Sequence, residues 1–234
     1  MQAPASLLPG VLSAVHEDRY ATVETALGPV FVAFNANGIS AARREKRRAH
    51  FERWFANEFG RRATPAERVP ESLLRSKKFD LGALTPFEAA VLRKALEIPA
   101  GEVRTYSWVA REIGHPAAVR AVGSALANNP IPYLIPCHRV VRTDGTIGQY
   151  GGGGPAAKRA LLSAEGAEPE RLEQLARGGI RYEGSDSTRI FCFPTCRNAR
   201  RITPEHRVGF ASEREALASG FRPCRVCRPA AMAS

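Results

Sequence analysis

The chain has 234 residues, 44% of them hydrophobic, enough for one large core or two to three small ones without disulfide staples. Its 34 Lys and Arg against 23 Asp and Glu give a formal charge of +11, mostly as arginine, which points to a polyanionic partner. No apolar stretch approaches the roughly 20 residues of a membrane span, and the N-terminal MQAPASLLPGVLSAVHEDRY lacks a basic leader and is broken by Pro9 and Gly10, so the expectation is a cytoplasmic protein with no membrane partner.

From Thr22 to Ile39, TVETALGPVFVAFNANGI alternates apolar and polar residues around Gly28-Pro29 and Asn37-Gly38, which predicts strands joined by tight turns. AARREKRRAHFERWFANEFG then sets Phe51, Trp54, Phe55 and Phe59 at helical spacing, with the basic residues on the other faces. Residues 1–80 read as a small α/β domain that closes in the polar stretch RRATPAERVPESLLRSKKFD.

A second unit, residues 81–170, opens at LTPFEAAVLRKALEIPAGEV. Thr85 is placed to cap a helix with Pro86 at its first position and Glu88 three residues on, and Pro99 and Gly101 end it. TYSWVAREIG and HPAAVRAVGSALANNP predict two short helices around Gly114, either a helix-turn-helix or an ordinary helical hairpin. In the second helix Ala117, Ala118, Val119, Ala121 and Gly123 are small while Arg120 projects, which suits a narrow groove. After IPYLIPCHRVVRTDGTIGQY comes YGGGGPAAK, a glycine-rich loop without the Gly-Lys-Ser/Thr ending of a phosphate loop. AEPERLEQLARGG then reads as a linker into the last unit, residues 171–234.

The five cysteines divide into Cys137 alone and a C-terminal quartet. In a reducing compartment thiols are more often nucleophiles or metal ligands than disulfides. Cys137 beside His138 can be a nucleophile and its activator, two metal ligands, or two residues packed for shape. Neighbours on a strand face opposite ways, so joint action needs a turn, which Pro136 favours, or a bridging water. Cys192-x3-Cys196 with Cys224-x2-Cys227 has the spacing of a tetrahedral four-cysteine zinc site, in a tail with 12 arginines against 6 acidic residues.

RTYSWVAREIGHPAAVRAVGSALANNPIPYLIPCHRVV resembles the O6-alkylguanine-DNA alkyltransferases, whose hallmark is Pro-Cys-His-Arg-Val. The resemblance extends through GQY and KRALLSAEG, and covers roughly Thr22 to Gly166. It implies a ribonuclease-H-like N-terminal domain and a winged-helix-like alkyltransferase domain with a helix-turn-helix. It also implies single-turnover methyl transfer from O6-methylguanine, and from O4-methylthymine, in damaged double-stranded DNA, by a monomer. Carried over by position, Cys137 is the methyl acceptor, His138 its base through a water, and Glu165 the group that holds the imidazole tautomer. Asn129 ties the turn presenting Cys137, and Tyr106 rotates the target phosphate and donates to the guanine ring. Arg120 fills the vacated base stack, with Ala118, Val119 and Gly123 on the minor-groove face. The carbonyls of Cys137 and Val140 read the flipped guanine, and the Gly151 amide lies near O6. The loop between Tyr150 and Lys158 carries one residue more than is usual, and Gly151 stands where some members have serine.

STRIFCFPTC and EREALASGFRPCRVCRP resemble the zinc module of the Ada adaptive-response proteins. That resemblance implies zinc held by Cys192, Cys196, Cys224 and Cys227, with Cys192 accepting methyl from DNA methylphosphotriesters; a structural or DNA-anchoring zinc module is the alternative. A lesion-recognition or regulatory protein with a purely structural zinc module is the rival reading, and a cysteine hydrolase the third.

Overall fold

The computed structural model describes residues 17–230, so the N-terminal stretch read for a leader lies largely outside the described residues. The chain is a mixed α/β protein in two compact units, one running up to Ala89 and taking in Asn129–Ile135, the other comprising Ala90–Asn128 and the chain from Pro136 onward. Among the described residues no helix is long and apolar enough to cross a membrane.

In the first unit β1 (Asp18–Thr25), β2 (Gly28–Asn35) and β3 (Gly38–Arg43) form an antiparallel meander, and β4 (Ala63–Pro65) adds in parallel beside β1. The expected tight turns fall where Gly28 and Gly38 adopt φ of +93° and +144°. At Gly38 a side chain is excluded twice, because a Cβ would lie 2.5 Å from the Lys78 carbonyl oxygen. Helix α1 (Arg48–Phe59) buries Phe51 and Phe55 against Tyr20, Ala33, Ala41 and Ala63, as its aromatic spacing requires. The polar stretch after it is more ordered than its composition suggests, since it holds β4 and the short helix α2 (Glu71–Ser76). Asp18 is fully buried, and donors from Asn35, Ser40 and Arg61 satisfy its carboxylate.

The boundary between the units falls within α3 (Pro86–Leu96). Its capping box forms as expected: Thr85 N donates to Glu88 Oε2 at 3.0 Å and Glu88 N to Thr85 Oγ1 at 3.3 Å. In the second unit β5 (Arg104–Thr105) leads into α4 (Tyr106–Glu112), which packs on α5 (Val119–Ala127) across a turn where Gly114 has φ +81°. β6 (Val140–Val141) lies parallel to β5, and α6 (Gly154–Ala164) follows the glycine-rich loop.

The stretch expected to be a linker is instead a helix, α7 (Pro169–Arg177). Its Leu172 is buried with Val103, Val141, Ile147 and Leu162, so apolar contact overrides the polar composition. The tail forms a second sheet from β7 (Tyr182–Ser185), β8 (Ile190–Cys192), β9 (Arg207–Phe210) and β10 (Arg222–Pro223), in the order β10-β8-β7-β9. With α8 (Glu213–Ala218) it encloses Phe191, Phe210, Ala216, Phe221 and Ala230.

Candidate active site and zinc centre

Cys137, His138 and Arg139 form one turn of 3-10 helix between Pro136 and β6. Successive side chains of such a turn diverge by about 120° rather than facing opposite ways as on a strand, which removes the geometric objection to a working Cys-His pair. Both Cys137 and His138 are buried.

Glu165, immediately after α6, places Oε1 2.9 Å from His138 Nε2. The same carboxylate accepts from Arg139 Nε at 2.8 Å, from Arg139 Nη2 at 2.7 Å and from the Gly101 amide at 3.3 Å. Burial raises the Glu165 pKa, but the hydrogen bonds and charges of His138 and Arg139 outweigh burial and hold it down at about 2. An anionic Glu165 accepts the Nε2–H of His138 and leaves Nδ1 as the basic nitrogen. Nδ1 is buried with no protein hydrogen-bond partner, so its lone pair is available to a water or a thiol proton.

A cavity of about 130 Å³ brings together Tyr106, Gly123, Cys137, Tyr150 and Gly151. Burial, and then the neighbouring Cys137, raises the Tyr106 pKa and keeps its hydroxyl a proton donor. A Cβ at Gly151 would lie 2.8 Å from the Ala127 carbonyl oxygen, so this loop is fitted to glycine. Ala118 and Val119 are half-buried and Arg120 exposed at the start of α5. Asn129 belongs to the first unit, where its Oδ1 accepts from Ile131 N at 3.0 Å and its Nδ2 donates to Ile135 O at 3.3 Å, closing the segment that leads to Pro136.

Two residues escaped the sequence reading. Arg139 clamps Glu165 and also donates to the Ile98 carbonyl at 2.6 Å; its place next to His138 was the available signal. Lys158 is 1% exposed and donates to the carbonyls of Val140 at 2.6 Å and Gln149 at 3.2 Å. Burial brings its pKa down to about 8, opposed by Cys137. Nothing local in GGGGPAAKRALL marks a buried lysine.

Cys192, Cys196, Cys224 and Cys227 are all buried, with their sulfurs within 4.8 Å of one another. Four thiols so close fit a divalent cation that accepts thiolates in tetrahedral array, and the site is a zinc site. Asn198 Nδ2 donates to Cys224 Sγ at 3.4 Å. A cavity of about 360 Å³, lined by Cys192, Ser187, Thr188, Asn198, Arg201 and His206, opens beside the quartet, and Cys192 is the only one of the four that lines it.

Residues 86–167 match the family described as 6-O-methylguanine DNA methyltransferase, DNA binding domain, and residues 177–230 match the metal binding domain of Ada. A "Methylated-DNA--protein-cysteine methyltransferase" of Methanosarcina acetivorans is 34% identical over 154 residues, spanning 63% of this chain and 98% of that protein. The chain belongs to this methyltransferase family. The Mus musculus methyltransferase of the same name is 53% identical over 81 residues, but this covers only 38% of the mouse protein, well under two thirds of its length. Among solved methyltransferase structures, Mycobacterium tuberculosis OGT in complex with DNA aligns with a TM-score of 0.51 at 30% identity, covering 66% of this chain and 99% of that one.

Proposed function

We propose that the chain is a single-turnover DNA repair protein that moves the methyl group of O6-methylguanine, and of O4-methylthymine, from duplex DNA to Cys137 Sγ. The observation that carries this reading is the Cys137–Arg139 turn, with His138 held by an anionic Glu165 and Cys137 lining a cavity with Tyr106 and Gly151.

The thiol proton passes through a water to His138 Nδ1 while Nε2–H stays on Glu165. Sγ then attacks the methyl carbon: the sulfur–carbon bond forms as the carbon–O6 bond breaks, and its electron pair goes to O6. Tyr106 donates to the guanine ring, and guanine finally takes up one proton in place of the one the thiol lost. The product thioether offers water no easy route back to the thiol, so each chain accepts one methyl and stops.

The methyl carbon is inaccessible in a stacked duplex, and extruding its base costs a few kcal/mol. Arg120 offsets this by filling the stack, while Ala118, Val119 and Gly123 let α5 lie in the minor groove. Val140 O, which keeps a lone pair beyond its bond to Lys158, and Gly151 N meet the flipped base. Asn129 fixes the approach to the turn. The reading takes residues 1–80 as ribonuclease-H-like, 81–170 as a winged-helix-like alkyltransferase domain and 171–234 as the zinc module of a cytoplasmic monomer.

A second acceptor is favoured by the cavity at Cys192, whose Arg201, Asn198 and hydroxyl groups suit a phosphotriester of the DNA backbone. Zinc, when bound, keeps the thiols deprotonated at neutral pH. The test of the main reading is stoichiometry: O6-methylguanine duplex in excess should lose one methyl per protein and no more, and continued turnover would overturn it.

A further inference from the structure

The loop Gly101–Arg104 is held from two sides. From one side come three bonds from the segment that carries the zinc ligand Cys196. Val103 N donates to Thr195 Oγ1 at 2.8 Å, Arg197 N donates to Glu102 Oε1 at 3.0 Å, and Arg200 Nη2 donates to the Gly101 carbonyl. Arg200 is itself set by the zinc knuckle, because its amide donates to the Cys196 carbonyl at 3.0 Å. Glu102 is buried and paired to buried Arg104 at 2.6 Å, so its bond to the Arg197 amide completes the saturation of an interior carboxylate.

From the other side comes Glu165, whose Oε2 accepts from Gly101 N at 3.3 Å and whose Oε1 meets His138. Gly101 is the joint between the two. A Cβ there would lie 2.6 Å from the Glu165 carbonyl oxygen and 3.1 Å from Arg200 Nη2, and its φ of +73° is one that suits glycine. The second pair of ligands is tied down as well: Arg228, next to Cys227, bonds Glu112 at 2.6 Å, and its carbonyl accepts from Arg111 at 2.6 Å.

We propose that Arg200 is a positioning residue through which the folded zinc module fixes Gly101 and thereby Glu165, so that zinc loading sets the reactivity of Cys137. A four-thiol site holds its shape only with the metal present, so losing zinc frees the segment 195–200 and removes the bonds on that side of the loop. Glu165 then keeps Arg139 and His138 but loses the backbone that limits where the carboxylate sits. The zinc module is on this account part of the working parts of the Cys137 site, whatever Cys192 itself does. This inference rests on the methyl-transfer reading of Cys137, and its test separates the two.

Two readouts are taken on the full chain, with zinc bound and after removal by a chelator, for the wild type, Arg200→Ala and Arg200→Lys. The first is the rate of Cys137 methylation at saturating O6-methylguanine duplex, which removes DNA affinity from the comparison. The second is hydrogen exchange of the segments 98–105 and 161–167. Removing zinc from the wild type is expected to slow transfer roughly 5-fold or more, the lower range of coupling between linked sites, and to speed exchange in both segments. Zinc-loaded Arg200→Ala should keep its metal yet show part of that slowing, with a smaller further loss on chelation than the wild type because the Thr195 and Arg197 bonds to the loop remain, and Arg200→Lys should recover part of the rate. A wild-type rate in zinc-loaded Arg200→Ala, or a chelation effect as large in the variant as in the wild type, would overturn the proposal. Unchanged exchange at 161–167 on zinc removal from the wild type would overturn it without any reference to methylation. Absence of Cys137 methylation in the zinc-loaded wild type would instead sink the reading it rests on.

Discussion

His138 Nε2 and Glu165 Oε1 lie 2.9 Å apart, and Arg139, the residue after that histidine, grips the same carboxylate with two nitrogens. One three-residue turn thus presents the thiol, the imidazole and the clamp on the imidazole's carboxylate partner. Glu165→Gln keeps the shape and removes the charge that stabilises a protonated imidazole. Methyl transfer at saturating DNA is expected to fall on the order of 100-fold, the low end of what a positioned base contributes, with DNA affinity unchanged. Equal losses in rate and affinity would mean that the carboxylate is only structural.

The same carboxylate should leave a mark on stability. Its folded pKa, about 2, lies below its ordinary 4.5, so the stabilisation is fully present above the unfolded value and disappears as pH falls from there through about 2. Melting temperatures of wild type and Glu165→Gln should therefore differ by a constant amount near neutral pH and converge in acid below that window's upper edge. A gap as wide at pH 2 as at neutral pH would show that the clamp adds nothing through charge.

Much of this site is legible in the sequence. Pro136 forecast the break from strand that makes neighbouring Cys137 and His138 usable together, and Thr85-Pro86 with Glu88 forecast the start of α3. The quartet's spacing forecast the metal site. The parts that were missed are those where tertiary contact outranks local composition. The polar stretch after α1 yields a strand because Ala63–Pro65 pairs with β1, and the supposed linker is helical because Leu172 reaches a core assembled from distant residues. Lys158 is buried for a reason found 18 positions away, at the Val140 carbonyl.

Lys158→Ala removes the donor for two carbonyls, those of Val140 and Gln149. Leaving such buried acceptors unpaired typically costs about 1–3 kcal/mol, so the urea midpoint should fall accordingly. An unchanged midpoint would mean that water replaces the ammonium without loss.

Arg120 stands exposed at the start of α5, where its loss should leave the fold intact. Arg120→Ala is expected to slow repair of duplex DNA roughly 10- to 100-fold, because a few kcal/mol of base extrusion goes uncompensated. Repair of the same lesion in a single strand should be nearly unaffected. Equal slowing on both substrates would remove Arg120 from the extrusion step.

Cys196→Ser or Cys227→Ser breaks a four-sulfur donor set, so bound zinc should fall from one per chain to well below it, and protease should cut first within the tail sheet. Full zinc content in Cys196→Ala, measured by elemental emission, would contradict the four-ligand assignment.

The central claim is that Cys137 takes the methyl group from the damaged base. It is tested most directly by peptide mass mapping of the zinc-loaded protein after separate incubations with duplex bearing only O6-methylguanine and duplex bearing only methylphosphotriesters. The first substrate should add a single CH2 to the Cys137 peptide and to no other, and Cys137→Ser should abolish that addition; any CH2 from the second should fall on the Cys192 peptide. An unmodified Cys137 with the O6-methylguanine still intact, or a methyl found on another residue, would contradict the account.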